Sequence, residues 1–105
     1  MRPLNDVVNS KKKGRKNIPS QLYILSCGDL IKIGVTNDIE QRIRTLQTGN
    51  PLPIILEHIE TKNHPYKIES YLHRIFAQYR IRGEWFSGIL VRDIRAKMLM
   101  YHDYD

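Results

Sequence analysis

The sequence predicts an α+β domain, a small three-stranded antiparallel sheet flanked by helices in the order β-β-α-β-α-α. Three observations carry that expectation. Two β-prone runs, Leu22-Tyr23-Ile24-Leu25 and Leu30-Ile31-Lys32-Ile33, are separated only by Ser26-Cys27-Gly28-Asp29, the composition of a tight hairpin turn. Later segments place apolar residues at helical spacing. One further β-prone run lies between two of those segments and supplies a third strand.

Register in the hairpin decides which side chains meet. A two-residue loop at Cys27-Gly28 or at Gly28-Asp29 puts Tyr23 and Lys32 on the same face, directly opposed in the first case and diagonal in the second. A three-residue loop separates them onto opposite faces. Next, Ile39, Ile43 and Leu46 recur at helical spacing behind Thr36-Asn37-Asp38, and Asn37 with Glu40 three residues later resembles a capping box. Gly49 stops this helix, and Asn50-Pro51 prevents its resumption. The third strand is Ile54-Ile55-Leu56-Glu57-His58-Ile59. A second helix begins near Pro65, a favourable first-turn residue, and carries Ile68, Leu72, Ile75, Phe76 and Tyr79 on one side. Gly83-Glu84-Trp85-Phe86-Ser87-Gly88 reads as a turn with two large aromatics, and Trp85 beside Phe86 is expected to fill core. A last helix covers residues 89–100.

A chain of 105 residues is expected to form one domain. Its 17 Lys and Arg against 11 Asp and Glu leave a net charge of +6, and that surplus is uneven. Residues 1–20 hold six bases against Asp6 alone, whereas the other 85 residues hold 11 basic and 10 acidic groups. The chain therefore divides into a basic arm, residues 1–20, and a nearly neutral domain, residues 21–105. Lacking apolar periodicity, the arm is expected to be disordered. Its Lys11, Lys12, Lys13, Arg15 and Lys16 make either a solubilising tail or a phosphate-seeking run. No amphipathic helix or lipidation signal accompanies them, so no membrane partner is expected. No apolar run approaches the roughly 18 to 20 residues of a membrane span or the ~7 to 15 of a secretory signal. Cys27 is the single cysteine, which precludes an internal disulfide or a thiolate-rich zinc site and fits a reducing compartment. The expected location is cytoplasmic.

Several ordered elements, spanning about residues 21–88, together resemble the GIY-YIG nuclease family. Gln21-Leu22-Tyr23 stands where that family has Gly-Ile-Tyr, and Lys32-Ile33-Gly34 stands where it has Tyr-Ile-Gly. Arg42, eight residues after Gly34, matches the family's arginine, and Glu69 on the second helix matches its metal-binding glutamate. Leu46-Gln47-Thr48-Gly49-Asn50-Pro51, Glu69-Ser70-Tyr71-Leu72-His73 and Gly83-Glu84-Trp85-Phe86 are similar to a short branch common in phages and bacteria. Two departures stand out: Gln21 and Leu22 replace the first motif's Gly and Ile, and Lys32 replaces the second motif's tyrosine.

What the resemblance implies is a metal-dependent endonuclease that hydrolyses DNA phosphodiester bonds through one divalent cation, Mg²⁺ or Mn²⁺, with no small-molecule cofactor. Glu69 is a hard carboxylate suited to such a cation. Arg42 offers a planar fork of donors that clamps a phosphate, and Arg44 is a further nucleic-acid contact. Tyr23 serves as general base only if its pKa, about 10 unperturbed, is lowered by a nearby cation, and Lys32 on the same face is the candidate. His73, four residues after Glu69, shares its helix face as a second metal ligand, a proton donor to the leaving oxygen, or a partner to the carboxylate. Glu84 and Trp85 either close the site or stabilise the end of the second helix.

Two other classes of function compete. A non-catalytic nucleic-acid-binding module would keep the fold, and the Lys32 exchange favours it, although binding alone does not need an acid beside a phosphate. A partner-binding domain would expose an apolar patch, to which Met98, Leu99, Met100 and Tyr101 contribute unless they are core. The charge partition yields its own test. Deleting residues 1–16 should weaken DNA binding and flatten its dependence on salt, measured by anisotropy across a salt series, more than it slows cleavage of bound DNA. The reverse result would put the arm in the active site.

Overall fold

The computed structural model describes residues 20–101. The basic run of Lys11, Lys12, Lys13, Arg15 and Lys16 lies outside the described residues. Strands β1 (Ser20–Cys27) and β2 (Leu30–Thr36) form the expected hairpin, turning at Gly28-Asp29 with Gly28 at a φ of 61°. Tyr23 pairs with Gly34, Ile24 with Ile33, and Cys27 with Leu30. This is the two-residue register in which Tyr23 and Lys32 share a face and stand diagonally.

Helix α1 (Ile39–Gln47) is capped by Asp38 rather than Asn37, because the Asp38 carboxylate accepts the Gln41 N–H at 3.1 Å. The Thr36 hydroxyl in turn accepts the Asp38 N–H, which sets the entry of the chain. Strand β3 (Ile55–Lys62) returns antiparallel along the outer side of β1, with an irregularity in register between Ile24 and Leu25. Helix α2 (Pro65–Ile75) opens on proline as expected but ends before Phe76 and Tyr79. A 3₁₀ turn over Ala77–Tyr79 takes the chain off the helix axis instead.

The sheet has five strands, which corrects the expected three. Residues read as helix end and aromatic turn form two further strands, β4 (Arg80–Arg82) and β5 (Trp85–Ser87), joined through Gly83 at a φ of 56°. The order is β3-β1-β2-β5-β4, with every neighbouring pair antiparallel. Each added strand is three residues long, too short for alternation to announce it, and β5 is held by pairing Ile31 with Phe86 and Lys32 with Trp85 across 50 residues of chain or more. Helix α3 (Val91–Met100) completes an α+β fold.

Alternation along the strands gives the sheet two different faces. On one, Leu22, Ile24, Ile31, Ile33 and Phe86 pack against Ile68 and Leu72 of α2 and Ile94 of α3. Burying each such side chain contributes about 1.5–3 kcal/mol, so this layer anchors both helices. Met98 and Tyr101 pack on that core, whereas Leu99 and Met100 are exposed. Trp85, paired with Lys32, faces the other way and is only partly buried, so Phe86 alone fills the place expected for the aromatic pair. No helix among the described residues is long and apolar enough to cross a membrane.

The second face holds Tyr23, Leu25, Lys32 and Gly34. A Cβ on residue 34 would sit 2.5 Å from the Tyr23 hydroxyl and 2.9 Å from Glu84 Oε1, so glycine is needed there for space. Gly34→Ala should destabilise the fold by about 1–3 kcal/mol in urea unfolding, as overpacked sites do. An unchanged midpoint would show that Tyr23 does not lie over residue 34.

Candidate active site

The end of β5 shapes the site. Pairing between β2 and β5 stops at Lys32 and Trp85, with the Ile33 N–H donating to the Glu84 carbonyl at 3.3 Å. The Ile33 carbonyl is taken by the His73 ring instead, its Nε2–H donating at 2.9 Å. A carbonyl can only accept, so that nitrogen carries the proton. His73 also meets Phe86 edge-on, with ring centroids 5.0 Å apart. It therefore clamps α2 to the sheet. Its Nε2 is thereby committed to backbone, which adds a positioning role to those expected of it, while the ring still lines the cleft beside Glu69. One turn earlier on α2, Glu69 is thereby set beside Glu84.

Glu84 is the functional residue that sequence reasoning undervalued. Its Oε1 lies 3.1 Å from Lys32 Nζ but out of line for a hydrogen bond, so the contact is one of charge, and this buried oxygen has no hydrogen-bond partner. Lys32 itself is 5% exposed, and an ammonium so enclosed requires a counter-charge. Glu69 and Glu84 open on a cleft of about 260 Å³ that Ser70, His73, Arg80 and Gly83 complete. Burial, then the charge of Glu84 and a hydrogen bond with it, push Glu69 up to about 7, against the pull of Lys32.

Tyr23 and Arg42 form the other half of the cluster. The Arg42 side chain, one turn into α1, donates Nε–H to the Tyr23 hydroxyl at 3.1 Å. Tyr23 is held above the ordinary tyrosine pKa: burial outweighs the Arg42 hydrogen bond and charge, and Glu84 and Glu69 push the same way as burial. The expected activation of Tyr23 by Lys32 is thus corrected. Lys32 is taken by Glu84, the phenol is taken by Arg42, and the phenol keeps its proton at neutral pH. Arg44, two residues beyond Arg42, is exposed on another side of α1.

The divalent cation expected from the sequence can be set against these groups. Two hard oxygen donors stand together, one of them buried without a hydrogen-bond partner, in mutual repulsion that a dication relieves. That donor set fits. Among the described residues no group of three or more His, Cys, Asp or Glu side chains gathers to hold a metal, so Glu69 and Glu84 would supply two positions and leave the others to water and phosphate. A cleft of similar size between β3 and α3 lacks this imbalance, because its Glu60 is already paired with His58 at 3.4 Å and Lys62 at 3.7 Å.

The acid pair links stability to pH. An unfolded glutamate loses its proton near 4.5 and Glu69 in the fold near 7, so across that window the folded state holds a proton that the unfolded state has released. Its stabilising contribution is complete below the lower value and is lost as pH rises through the upper one. In metal-free buffer the thermal midpoint should fall by a few degrees, roughly, between pH 5 and pH 8. Glu69→Gln should remove most of that slope in the same melts and stabilise the protein at pH 8.

Comparison with known proteins follows the same stretch of chain. Residues 20–98 match the T5orf172 domain. This corrects the resemblance drawn from the sequence motifs, which pointed to the GIY-YIG nuclease family. Uncharacterized protein 460R of Invertebrate iridescent virus 6 is 34% identical over 73 residues, covering 67% of this chain and 32% of that protein. The chain thus spans about a third of the length of this curated relative. No solved structure matches. The matched residues include all five strands and the Tyr23, Lys32, Arg42, Glu69 and Glu84 cluster, and the chain belongs to the T5orf172 domain family.

Proposed function

We propose that the protein is a metal-dependent hydrolase of DNA phosphodiester bonds. The observation that carries this reading is the juxtaposition of two carboxylates, Glu69 and Glu84, with Lys32, Arg42 and a buried phenol. A binding module has no use for an acid pair beside the groups that would hold a phosphate, since like charges there weaken anion binding. Hydrolysis needs both signs of charge.

Cleavage forms a P–O bond from water and breaks the bond to the leaving sugar oxygen, while negative charge builds on the phosphoryl oxygens. Arg42 keeps donors free beyond the one given to Tyr23, and these hold the phosphate. Tyr23, enclosed and still protonated, accepts the Arg42 Nε–H and so fixes the direction in which the guanidinium presents its other donors. Lys32 supplies a second positive charge from inside the sheet. Glu69 and Glu84 would hold Mg²⁺ or Mn²⁺, which when bound would supply Lewis-acid charge to the phosphoryl oxygens and make water more acidic. The basic run of Lys11, Lys12, Lys13, Arg15 and Lys16 adds affinity for the polyanion.

With Mg²⁺ the full chain should nick supercoiled and branched DNA, and EDTA should stop it. Glu69→Ala and Glu84→Ala should abolish cleavage while leaving DNA binding within a few-fold. Arg42→Ala should slow turnover by roughly 10²–10³, the usual cost of losing one donor to a developing oxyanion. Cleavage that survives both EDTA and loss of the two glutamates would defeat the proposal.

A further inference from the structure

On the face of the sheet that carries Lys32 and Trp85 lies a second hollow of about 580 Å³. It lies between the β1–β2 turn, the loop after α1 and the β4–β5 hairpin. Leu52, Ile81, Arg82 and Trp85 line it. Leu52 is 50% exposed and Ile81 57%, so two aliphatic side chains are presented to solvent with no cover among the described residues. Lys32 joins the two sites, since its Nζ is 3.1 Å from Glu84 Oε1 and 5.2 Å from the centre of the Trp85 ring.

A flat aromatic surface, aliphatic walls and a guanidinium at the mouth, one lysine away from phosphate-holding groups, match a particular chemistry. A nucleobase has flat apolar faces and a polar edge, and it is tethered to phosphates on both sides. Base stacking on aromatic side chains together with a cationic path for the backbone is how single strands are held. We infer that the hollow takes an unpaired nucleobase adjacent to the scissile phosphate, stacked on Trp85, with Arg82 on the next phosphate. A base inside a duplex has both faces covered by its neighbours and cannot make this contact. The inference rests on the DNA-hydrolase reading and narrows its substrate to frayed, branched or single-stranded DNA.

Trp85 is the only tryptophan in the chain, so intrinsic emission reports this hollow alone. The 105-residue chain in EDTA, where cleavage is off, is titrated with a short oligothymidylate and with an abasic oligomer of equal length and charge. The expected result is saturable quenching by the oligothymidylate, about twofold or more, and none from the abasic oligomer, although anisotropy shows that it binds. Trp85→Ala and the rim variant Leu52→Glu should each weaken oligothymidylate binding roughly tenfold, and Trp85→Phe should restore it. The rim variant keeps the test valid if Trp85→Ala fails to fold, and with Mg²⁺ it should also erase any preference for flapped over intact duplex. Equal quenching by both oligomers, or a concentration-dependent blue shift that DNA does not reverse, would overturn the base site in favour of backbone contact or self-association. No quenching alongside normal cleavage overturns the base site and leaves the hydrolase. Quenching with no cleavage under any divalent cation overturns the hydrolase and leaves a base-binding groove.

Discussion

Tyr23 can lie against the sheet only because the residue paired with it has no side chain. The space left by Gly34 is occupied from two directions, by the phenol of Tyr23 and by the carboxylate of Glu84. Everything else in the cluster is arranged around that occupancy. Arg42 reaches the phenol from α1, Lys32 reaches the carboxylate from the neighbouring diagonal position, and Glu69 meets Glu84 from α2. The constraint is steric at its root and electrostatic in its result, since it brings two acids, two bases and a phenol into one low-dielectric space.

Such a cluster opposes folding, and the structure opposes it with apolar burial elsewhere. Glu69 near Glu84 is an arrangement that no stability argument favours. It persists because α2 is held independently, by Ile68 and Leu72 in the core and by the His73 ring on the Ile33 carbonyl. Local conflict supported by a consistent surround is the usual mark of a functional site.

The hairpin, the three helices and the shared face of Tyr23 and Lys32 were legible in the sequence, because each is written in local spacing. What was not legible depends on contacts between distant segments. Strands of three residues, Arg80–Arg82 and Trp85–Ser87, carry no periodicity, and so the sheet was read two strands short. Asp38 displaced Asn37 as helix cap, a one-residue shift that composition could not decide. His73 was read from helix spacing as a neighbour of Glu69, and both line one cleft, but its bond to the Ile33 carbonyl at the end of a ladder had no local signal. Glu84 was quoted in a motif but read as closing the site rather than as one of an acid pair, Arg80 had no motif to mark it as a cleft base, and the outward face of Trp85 followed from a pairing that was not foreseen. The family placement shows the same limit, since ordered short motifs led to one family and the whole stretch matched another.

The two signs of charge in the cluster also come from different parts of the chain. Tyr23, Lys32 and Arg42 belong to the first hairpin and the helix after it, contacts of short range in sequence, whereas Glu69 and Glu84 arrive with α2 and β5. Contacts of low sequence separation close with the smaller loss of chain entropy and form sooner. A nascent or partly unfolded chain therefore displays the cations of the cluster before its acids. Polyanion attraction is available early, and the acid pair exists only once β5 has docked, so docking of the last strand separates a sticky chain from a complete site.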